Sequence, residues 1–225
     1  MDRPWPTYLH DEARTNTTDA VLTVPMKKAW DADVGDYRFF YPLPDQELST
    51  PAFYGGVVYA AGTEGELKAL DPATGRAHWS FDAGVPLEAP PAVTEERVCF
   101  GSSNGVVRCL ERETGKELLS FQARSEVITA PVISDDRLYF ASSDDKVHAL
   151  DLETGGEVWT HSHGTYRTVT PRVASSPAFS DGSLFVLFSD GALTRVSAET
   201  GREEWSKTIA EGLMNAPPGR RTPVV

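Results

Sequence analysis

Two histidines separated by one residue, His161 and His163, are the part of this sequence that most resembles a metal site. On a β-strand, residues i and i+2 lie on the same face, so the two imidazoles would offer a pair of nitrogen ligands. No third ligand is evident near them in the sequence. Because a metal site needs three or four convergent groups, we predict no metal site and expect both histidines at an exposed strand end.

Two pairs of aspartates, Asp135-Asp136 and Asp144-Asp145, raise the question of a calcium site. Calcium takes six or more oxygen ligands, whereas hairpin turns are often rich in Asp, so we interpret both pairs as turns. The isolated His148, in the segment KVHAL, is flanked by apolar residues. We expect it to be a buried side chain with a hydrogen-bond partner.

The motifs of common enzyme classes do not occur in the sequence. It contains no Gly-x-Ser-x-Gly elbow, His-Glu-x-x-His motif, Walker loop, dinucleotide fingerprint or Cys-x-x-Cys-His haem site. We therefore assign no catalytic residue, and the sequence favours a binding protein over an enzyme.

The composition is that of an ordinary soluble globular protein, with 40% hydrophobic and 24% charged residues. The formal net charge of -12 argues against a nucleic-acid or anionic-membrane partner, since both require clustered Lys and Arg. No apolar run is long enough to cross a bilayer. The first residues lack the features of a secretory signal, so a cytoplasmic protein and an exported protein without its signal both remain open.

Cys99 and Cys109 are the only cysteines, on the two arms of a hairpin that we expect to turn at Asn104-Gly105. A two-residue turn would place Cys99 opposite Leu110 and Cys109 opposite Phe100. The two sulfurs would then point to opposite faces of the hairpin. We therefore predict two buried thiols and no disulfide.

A repeat organises the chain. The phrase ALDPATGRAHW at 69–79 returns as ALDLETGGEVW at 149–159, with looser copies between and after. Aligned on their Thr-Gly pairs, the four copies are 40, 40 and 46 residues apart, a period typical of propellers and solenoids. Each copy is preceded by Pro and apolar residues: PAF at 51, PAV at 91, PVI at 131 and PAF at 177, with a fifth, PVV, at 223.

Each repeat has room for four short strands and no helix. In the third copy the strands are PVIS, DRLYFASS, KVHALD and EVWTHS, separated by turn residues. We predict an all-β fold, a β-propeller of four-stranded antiparallel blades, with four complete blades and partial blades at both ends. Its repeats are about 49–84, 89–124, 129–164 and 175–210, within a single propeller of residues 21–225 that follows a lead-in of residues 1–20.

The repeated phrase has a structural interpretation as the joint between blades. An Asp at the end of the third strand accepts backbone N–H groups, the Gly supplies a positive φ, and the Ala allows close packing. The Trp is large enough to cover the seam between neighbouring sheets. The predicted joint residues are Ala69, Asp71, Gly75, Trp79, Gly115, Ala149, Asp151, Gly155, Trp159, Gly201 and Trp205.

The pattern Ala-x-Asp-x-x-x-Gly-x-x-x-Trp resembles the tryptophan-docking motif of the pyrroloquinoline-quinone (PQQ) type β-propellers. The resemblance runs from about residue 49 to the end; copies one and three match fully. Copy two departs at Cys109, Glu111 and Leu119, and copy four at Arg195 and Ser197, so we expect those joints to be looser. The family includes quinoprotein alcohol dehydrogenases and non-catalytic relatives such as the propeller lipoprotein of the outer-membrane β-barrel assembly machinery. The resemblance implies a periplasmic or other extracytoplasmic location.

The chain holds about half of the blades that such a ring would need. Relatives of the quinoprotein type resemble rings of seven or eight blades, about twice this length at roughly 40 residues per blade. Trp30 belongs to a fourth strand without its first three, and the segment at 223–225 is a first strand without the others. We expect the N-terminal half of a larger propeller; a four-bladed ring and a homodimer that completes one ring are the alternatives.

Three connections between repeats are longer than the others and carry arginine and aromatic residues. They contain the segments DYRFFYPLP, HSHGTYRTVTPRVASS and GLMNAPPGRRTP. If these loops cluster at one rim, they would bind an acidic or extended segment of a protein partner. The alternative is that their side chains fold back and pack against the seams of the adjoining blades. The predicted binding residues are Tyr37, Phe39, Phe40, Tyr166, Arg167, Arg172, Arg220 and Arg221.

Three functions follow from these features. We favour a non-catalytic scaffold that binds protein partners and needs no cofactor. The first alternative is part of a dehydrogenase dependent on PQQ and calcium, although the resemblance implies a pair of adjacent cysteines that this chain lacks. The second alternative is the ligand-sensing ectodomain of a larger receptor.

Overall fold

Short runs of apolar and polar residues, separated by Gly and Asp turns, form sixteen strands in the part of the chain that the structure describes. This computed structural model describes residues 7–8, 11, 27–32, 49–163 and 175–209. The strands pair antiparallel in four successive sheets of four. These residues form no helix, and so none that would span a membrane.

The four sheets, here called blades 1 to 4, use the strands in chain order. Blade 1 contains β1 (Ala52–Tyr54), β2 (Val57–Ala61), β3 (Glu66–Leu70) and β4 (Ala77–Asp82). Blade 2 contains β5 (Ala92–Val93), β6 (Arg97–Phe100), β7 (Val106–Glu111) and β8 (Glu117–Gln122). Blade 3 contains β9 (Val132–Ser134), β10 (Arg137–Ser142), β11 (Lys146–Asp151) and β12 (Glu157–Ser162). Blade 4 contains β13 (Ala178–Ser180), β14 (Ser183–Leu187), β15 (Ala192–Ser197) and β16 (Glu203–Thr208).

The blades are arranged side by side through their first strands. β1 contacts β5, β5 contacts β9, and β9 contacts β13, whereas the fourth strands form the more exposed outer edges. Sheets repeated in this way are propeller blades. The prediction of an all-β propeller with four complete blades is confirmed. The partial blade expected at 223–225 lies outside the described residues. The fourth strand expected around Trp30 is not formed, since the described residues 27–32 contain no strand.

The hydrophobic core lies between neighbouring blades. Between blades 2 and 3, Val107 and Cys109 pack in one cluster with Leu138 and Phe140. Equivalent clusters fill the seams between blades 1 and 2 and between blades 3 and 4. Because each seam is built from two sheets, the stability of a blade depends on its neighbours.

The loops lie on two faces of the propeller. The connections between blades lie beside the turns that join second and third strands, as the hydrogen bond from the Val127 amide to the Ser102 carbonyl shows (3.1 Å). We call this the connection face. The turns of the repeated phrase lie on the other side, beside the turns that join first and second strands; there the Arg112 amide donates to the Glu96 carbonyl (2.8 Å). We call this the motif face.

The prediction of two separate thiols is wrong, because Cys99 and Cys109 form a disulfide. Their strands pair Cys99 directly with Cys109, and the two Cα atoms are 4.1 Å apart. The Gly105 amide donates to the Ser102 carbonyl (3.0 Å), and Gly105 has φ 81°. This turn shifts the hairpin register by one residue from the predicted two-residue turn. A shift of one residue moves a side chain to the other face of the hairpin, which brings both sulfurs together.

The aspartates of the repeated phrase hold the turns on the motif face. Asp71 Oδ1 accepts the amides of Ala73 and Thr74 (2.9 and 2.7 Å) and the Thr74 hydroxyl (2.9 Å). Asp151 accepts the corresponding three bonds in blade 3. Gly75 closes the turn with φ 72°. The hydrogen bonds from the threonine, and then from the other amide, favour the charged form, so the pKa of Asp71 and of Asp151 lies below the ordinary value of 3.8.

We expect these two carboxylates to make the fold sensitive to acid. The pKa values of both carboxylates are lower in the folded than in the unfolded chain. Their contribution to the free energy of unfolding is therefore present above about pH 4 and is lost as pH falls through the folded pKa values. The urea midpoint, followed by far-UV circular dichroism at fixed ionic strength, should fall less between about pH 5 and pH 2 in an Asp71→Ala/Asp151→Ala variant than in the wild type. Glu153→Ala, at an acid beside the same turn, is the control. If the urea midpoints of the wild type and the double variant fell equally as pH is lowered, this account would be contradicted.

Candidate functional site at the blade joints

The tryptophan of blade 1 covers the joint with blade 2. The Trp79 Nε1 donates to the Arg112 carbonyl at 3.0 Å. The indole lies over Gly115, where an added Cβ would stand 2.7 Å from Trp79 Cδ2. Because real Cβ atoms do not approach so closely, only glycine fits beneath this ring, and its φ of 72° also favours glycine.

The same contact recurs at two further joints. Trp159 of blade 3 donates to the Ala198 carbonyl of blade 4 (3.0 Å) and covers Gly201. Trp30 covers Gly75 and donates to a carbonyl of the same turn (2.5 Å). The first copy of the phrase therefore serves two joints: its Gly75 turn receives the preceding Trp30, and its own Trp79 docks on blade 2.

Two tryptophan positions depart from this pattern. Leu119 of blade 2 contacts the turn at Gly155, where an added Cβ would stand 3.5 Å from Leu119 Cβ. Leucine has no N–H donor in its side chain, so this joint lacks the hydrogen bond to a carbonyl. Trp205 is 39% exposed, and its ring neighbour within the described residues is Phe185 of its own blade, at 6.2 Å.

All eight residues predicted to bind a partner lie outside the described residues. The extension that contains three of them is flanked by His163 and Ser175. The Ser175 hydroxyl donates to the Leu187 carbonyl (2.8 Å) and accepts its amide (3.0 Å). His163 Nε2 lies 3.5 Å from Asp190 Oδ2, in the turn between β14 and β15. Both flanking residues thus lie on the connection face.

The two histidines lie against acidic side chains of blade 4. His161 Nε2 is 3.8 Å from Glu203 Oε2, and His163 Nδ1 is 3.3 Å from the same oxygen. The expectation of an exposed strand end is wrong, because the side chains of His161 and His163 are only 13% and 17% exposed. The third group that was not evident in the sequence is Glu203, which follows His163 by 40 residues.

The hydrogen bonding of His161 determines which of its nitrogens carries the proton. The Gly201 carbonyl can only accept, so His161 Nδ1 donates to it (3.1 Å). Burial lowers the pKa of His161 below 6.5, against the opposing effects of Glu203 and Gly201. The neutral ring therefore carries its lone pair on Nε2, a buried atom without a hydrogen-bond partner in the part of the chain that the structure describes.

The remaining candidate residues have structural roles. His148 is buried, as expected, between the Ser142 hydroxyl (3.1 Å from Nε2) and the Glu157 carboxylate (2.7 Å from Nδ1). The aspartate pairs form turns, and Asp135 and Asp145 adopt φ values of 51° and 58°. Asp tolerates this conformation better than most residues, which explains its use there.

Two cavities follow the seams between blades. A cavity of about 220 Å³ lies at the joint of blades 1 and 2, where burial raises the pKa of Tyr59 above 10.0. A wider groove of about 430 Å³ lies between blades 2 and 3 on the motif face. The acidic residues that line this groove are Glu95, Glu96, Asp135, Asp136 and Glu153.

Radially repeated four-stranded blades, joined by a tryptophan over a glycine turn, define a β-propeller of the PQQ type. The family model described as outer membrane protein assembly factor BamB matches residues 28–86 and 63–217, and the chain belongs to this family. Comparison with curated proteins gives no match.

Solved structures show the same fold at low sequence identity. BamB from Moraxella catarrhalis is 19% identical with a TM-score of 0.62, over 75% of this chain and 54% of that one. Quinohemoprotein alcohol dehydrogenase from Comamonas testosteroni is 16% identical with a TM-score of 0.72, over 93% and 41%. A europium-containing methanol dehydrogenase is 13% identical with a TM-score of 0.75, over 94% and 50%. The chain thus spans about half of the length of the proteins it matches.

Proposed function

We propose that this chain is a non-catalytic propeller scaffold that binds protein partners through the loops between its blades. The observation that carries the proposal is the family match, since the matching model is that of an outer membrane protein assembly factor. The structure supports it because the recurrent motif residues serve the blade joints. Asp71 holds its own turn, and Trp79 covers Gly115 of the next blade.

We assign partner contact first to Tyr166, Arg167 and Arg172, in the extension between blades 3 and 4. The flanking residues His163 and Ser175 lie on the connection face. No acidic residue occurs between Glu157 and Asp181, in a chain of net charge -12. An acidic partner segment that pairs with the arginines would lie across the connection face.

We further propose an extracytoplasmic location. The family model is that of an outer membrane assembly factor, and the chain contains the Cys99–Cys109 disulfide. Disulfides persist in oxidising compartments such as the periplasm and are rare in the cytosol.

Charge reversal in the extension tests the proposed binding surface. A photo-crosslinking residue in place of Tyr166 should capture a defined partner in cells, and Arg167→Glu/Arg172→Glu should reduce that capture by about tenfold or more, because a charge pair becomes a repulsion. Arg202→Glu, at an exposed turn of the motif face, is the matched control and should leave capture unchanged. Quantitative mass spectrometry of the crosslinked product compares the amount of partner captured with and without the arginine substitutions. Undiminished capture by the double variant would remove this surface from the proposal.

A second candidate, part of a dehydrogenase dependent on PQQ and calcium, is favoured by the match to quinohemoprotein alcohol dehydrogenase over 93% of the chain. The first strands of the described blades, which lie innermost, read AFY, AV, VIS and AFS and contain no carboxylate for calcium. Saturable spectral changes on titration of the protein with PQQ and calcium would favour this candidate over the scaffold.

A further inference from the structure

The joint between blades 3 and 4 brings three metal-ligating groups to one point. One ligand atom each from His161, His163 and Glu203 lies within 4.8 Å of the other two. The Glu203 Oε2 is 3.8 Å from His161 Nε2 and 3.3 Å from His163 Nδ1. Two ligands on a tetrahedral zinc ion are about 3.3 Å apart, given metal–ligand bonds of roughly 2.0 Å. The three atoms therefore require only a small convergence to share one ion.

Surrounding groups orient both imidazoles for this role. His161 Nδ1 donates to the Gly201 carbonyl at 3.1 Å, which directs the lone pair of Nε2 toward Glu203. The Asp190 carboxylate lies 3.5 Å from His163 Nε2, so a proton there leaves the lone pair of Nδ1 facing Glu203. Metal-binding histidines usually have such a partner, a backbone carbonyl or a carboxylate, on the other ring nitrogen.

Packing holds the group in place. The ring of Phe188 stacks on His163 with centroids 4.9 Å apart and also contacts His161 at 6.1 Å. His161 Nε2 is buried and has no hydrogen-bond partner among the described residues, although a carboxylate oxygen lies 3.8 Å away. A lone pair that faces a carboxylate is unfavourable unless a cation lies between them.

We propose that His161, His163 and Glu203 bind one divalent transition-metal ion and so clamp blade 3 to blade 4. Two imidazoles and one carboxylate suit zinc, whereas calcium and magnesium prefer oxygen ligands alone. Asp190 is a positioning residue, because it acts on the metal through His163. The three protein ligands leave a fourth position for water.

Metal titration of the tag-free protein, stripped with a chelator, tests this site. Cobalt(II) chloride serves as the spectroscopic probe, and zinc chloride should displace it. We expect one ion per chain, with the strong visible absorption of four-coordinate cobalt. His161→Ala, His163→Ala and Glu203→Gln should each weaken binding at least about 100-fold, and Asp190→Asn should weaken it about 10- to 100-fold. His78→Ala, at an exposed position on β4, should bind as the wild type does.

Two controls keep the outcome interpretable. Far-UV circular dichroism shows whether each variant is folded, and Glu203→Gln keeps the size of a side chain that is 40% exposed. In addition, saturating zinc should raise the thermal midpoint of the wild type and of His78→Ala but not that of His163→Ala. The absence of saturable one-to-one binding, the weak absorption of six-coordinate cobalt, or unchanged affinity in the three ligand variants would each overturn the proposal.

Discussion

Trp159→Ala is expected to lower the free energy of unfolding by about 3 kcal/mol, whereas Trp205→Ala at the same motif position should cost less than about 1 kcal/mol. Trp159 is half-buried, packs on Tyr139 with centroids 6.0 Å apart, covers Gly201, and donates to the Ala198 carbonyl. Its loss opens the seam between blades 3 and 4. Trp205 is 39% exposed, so its truncation removes much less buried surface.

Urea unfolding followed by far-UV circular dichroism measures the difference, since tryptophan fluorescence changes with the substitution itself. A chelator in the buffer keeps any metal from contributing. Equal losses in the two variants would show that docking on the glycine turn does not stabilise the joint.

A substitution at Gly201, beneath the Trp159 indole, separates the energetic effect of the indole contact from that of the backbone conformation. A Cβ at Gly201 would stand 2.6 Å from Trp159 Cδ2, and Gly201 has φ 71°. Gly201→Ala therefore combines a clash with backbone strain in the wild type. In the Trp159→Ala background only the strain remains, about 1 kcal/mol, so the two substitutions should be less than additive.

Loss of the Cys99–Cys109 disulfide is expected to lower the free energy of unfolding by about 2–3 kcal/mol, the value for a loop of this length in the chain-entropy model. The two cysteines are 10 residues apart and fully buried within the seam of blades 2 and 3. The measurement compares urea unfolding of the wild type with and without a reductant.

The Cys99→Ala/Cys109→Ala variant is the matched control. It should unfold at a similar urea concentration to the reduced wild type and should not respond to the reductant. Alkylation and mass spectrometry of the protein, unfolded without reductant, should find no free thiol. Two alkylated cysteines, or an oxidised wild type no more stable than the double variant, would contradict the pairing.

The register of the β6–β7 hairpin could not be predicted from the local sequence. The segment Ser102-Ser103-Asn104-Gly105 is compatible with more than one turn, and a change of one residue moves a cysteine from one face to the other. The pairing of Cys99 with Cys109 depends on the hydrogen bond that Gly105 makes, which its residue type does not specify.

The third metal-ligating group could have been found from the repeat. His161 contacts Gly201 and His163 contacts Glu203, each 40 residues along the chain. The Thr-Gly pairs of blades 3 and 4 are 46 residues apart, so both contacts fall short of one full repeat. Trp79 likewise contacts Gly115, which is 36 residues later in a repeat of 40. An outer strand therefore meets the motif turn of the next blade, and this relation applied to both histidines points to blade 4.

The four complete blades, the four-strand order of each repeat and the role of the repeated phrase at the blade joints follow from the sequence alone. They depend on local properties: the alternation of apolar residues, the turn preferences of Asp and Gly, and the period near 40 residues. The disulfide, the seam that each tryptophan covers and the meeting of His161, His163 and Glu203 depend on how one sheet packs against the next. Only the tertiary structure decided them, because a shift of one residue or a small rotation between blades separates these groups without altering any local preference.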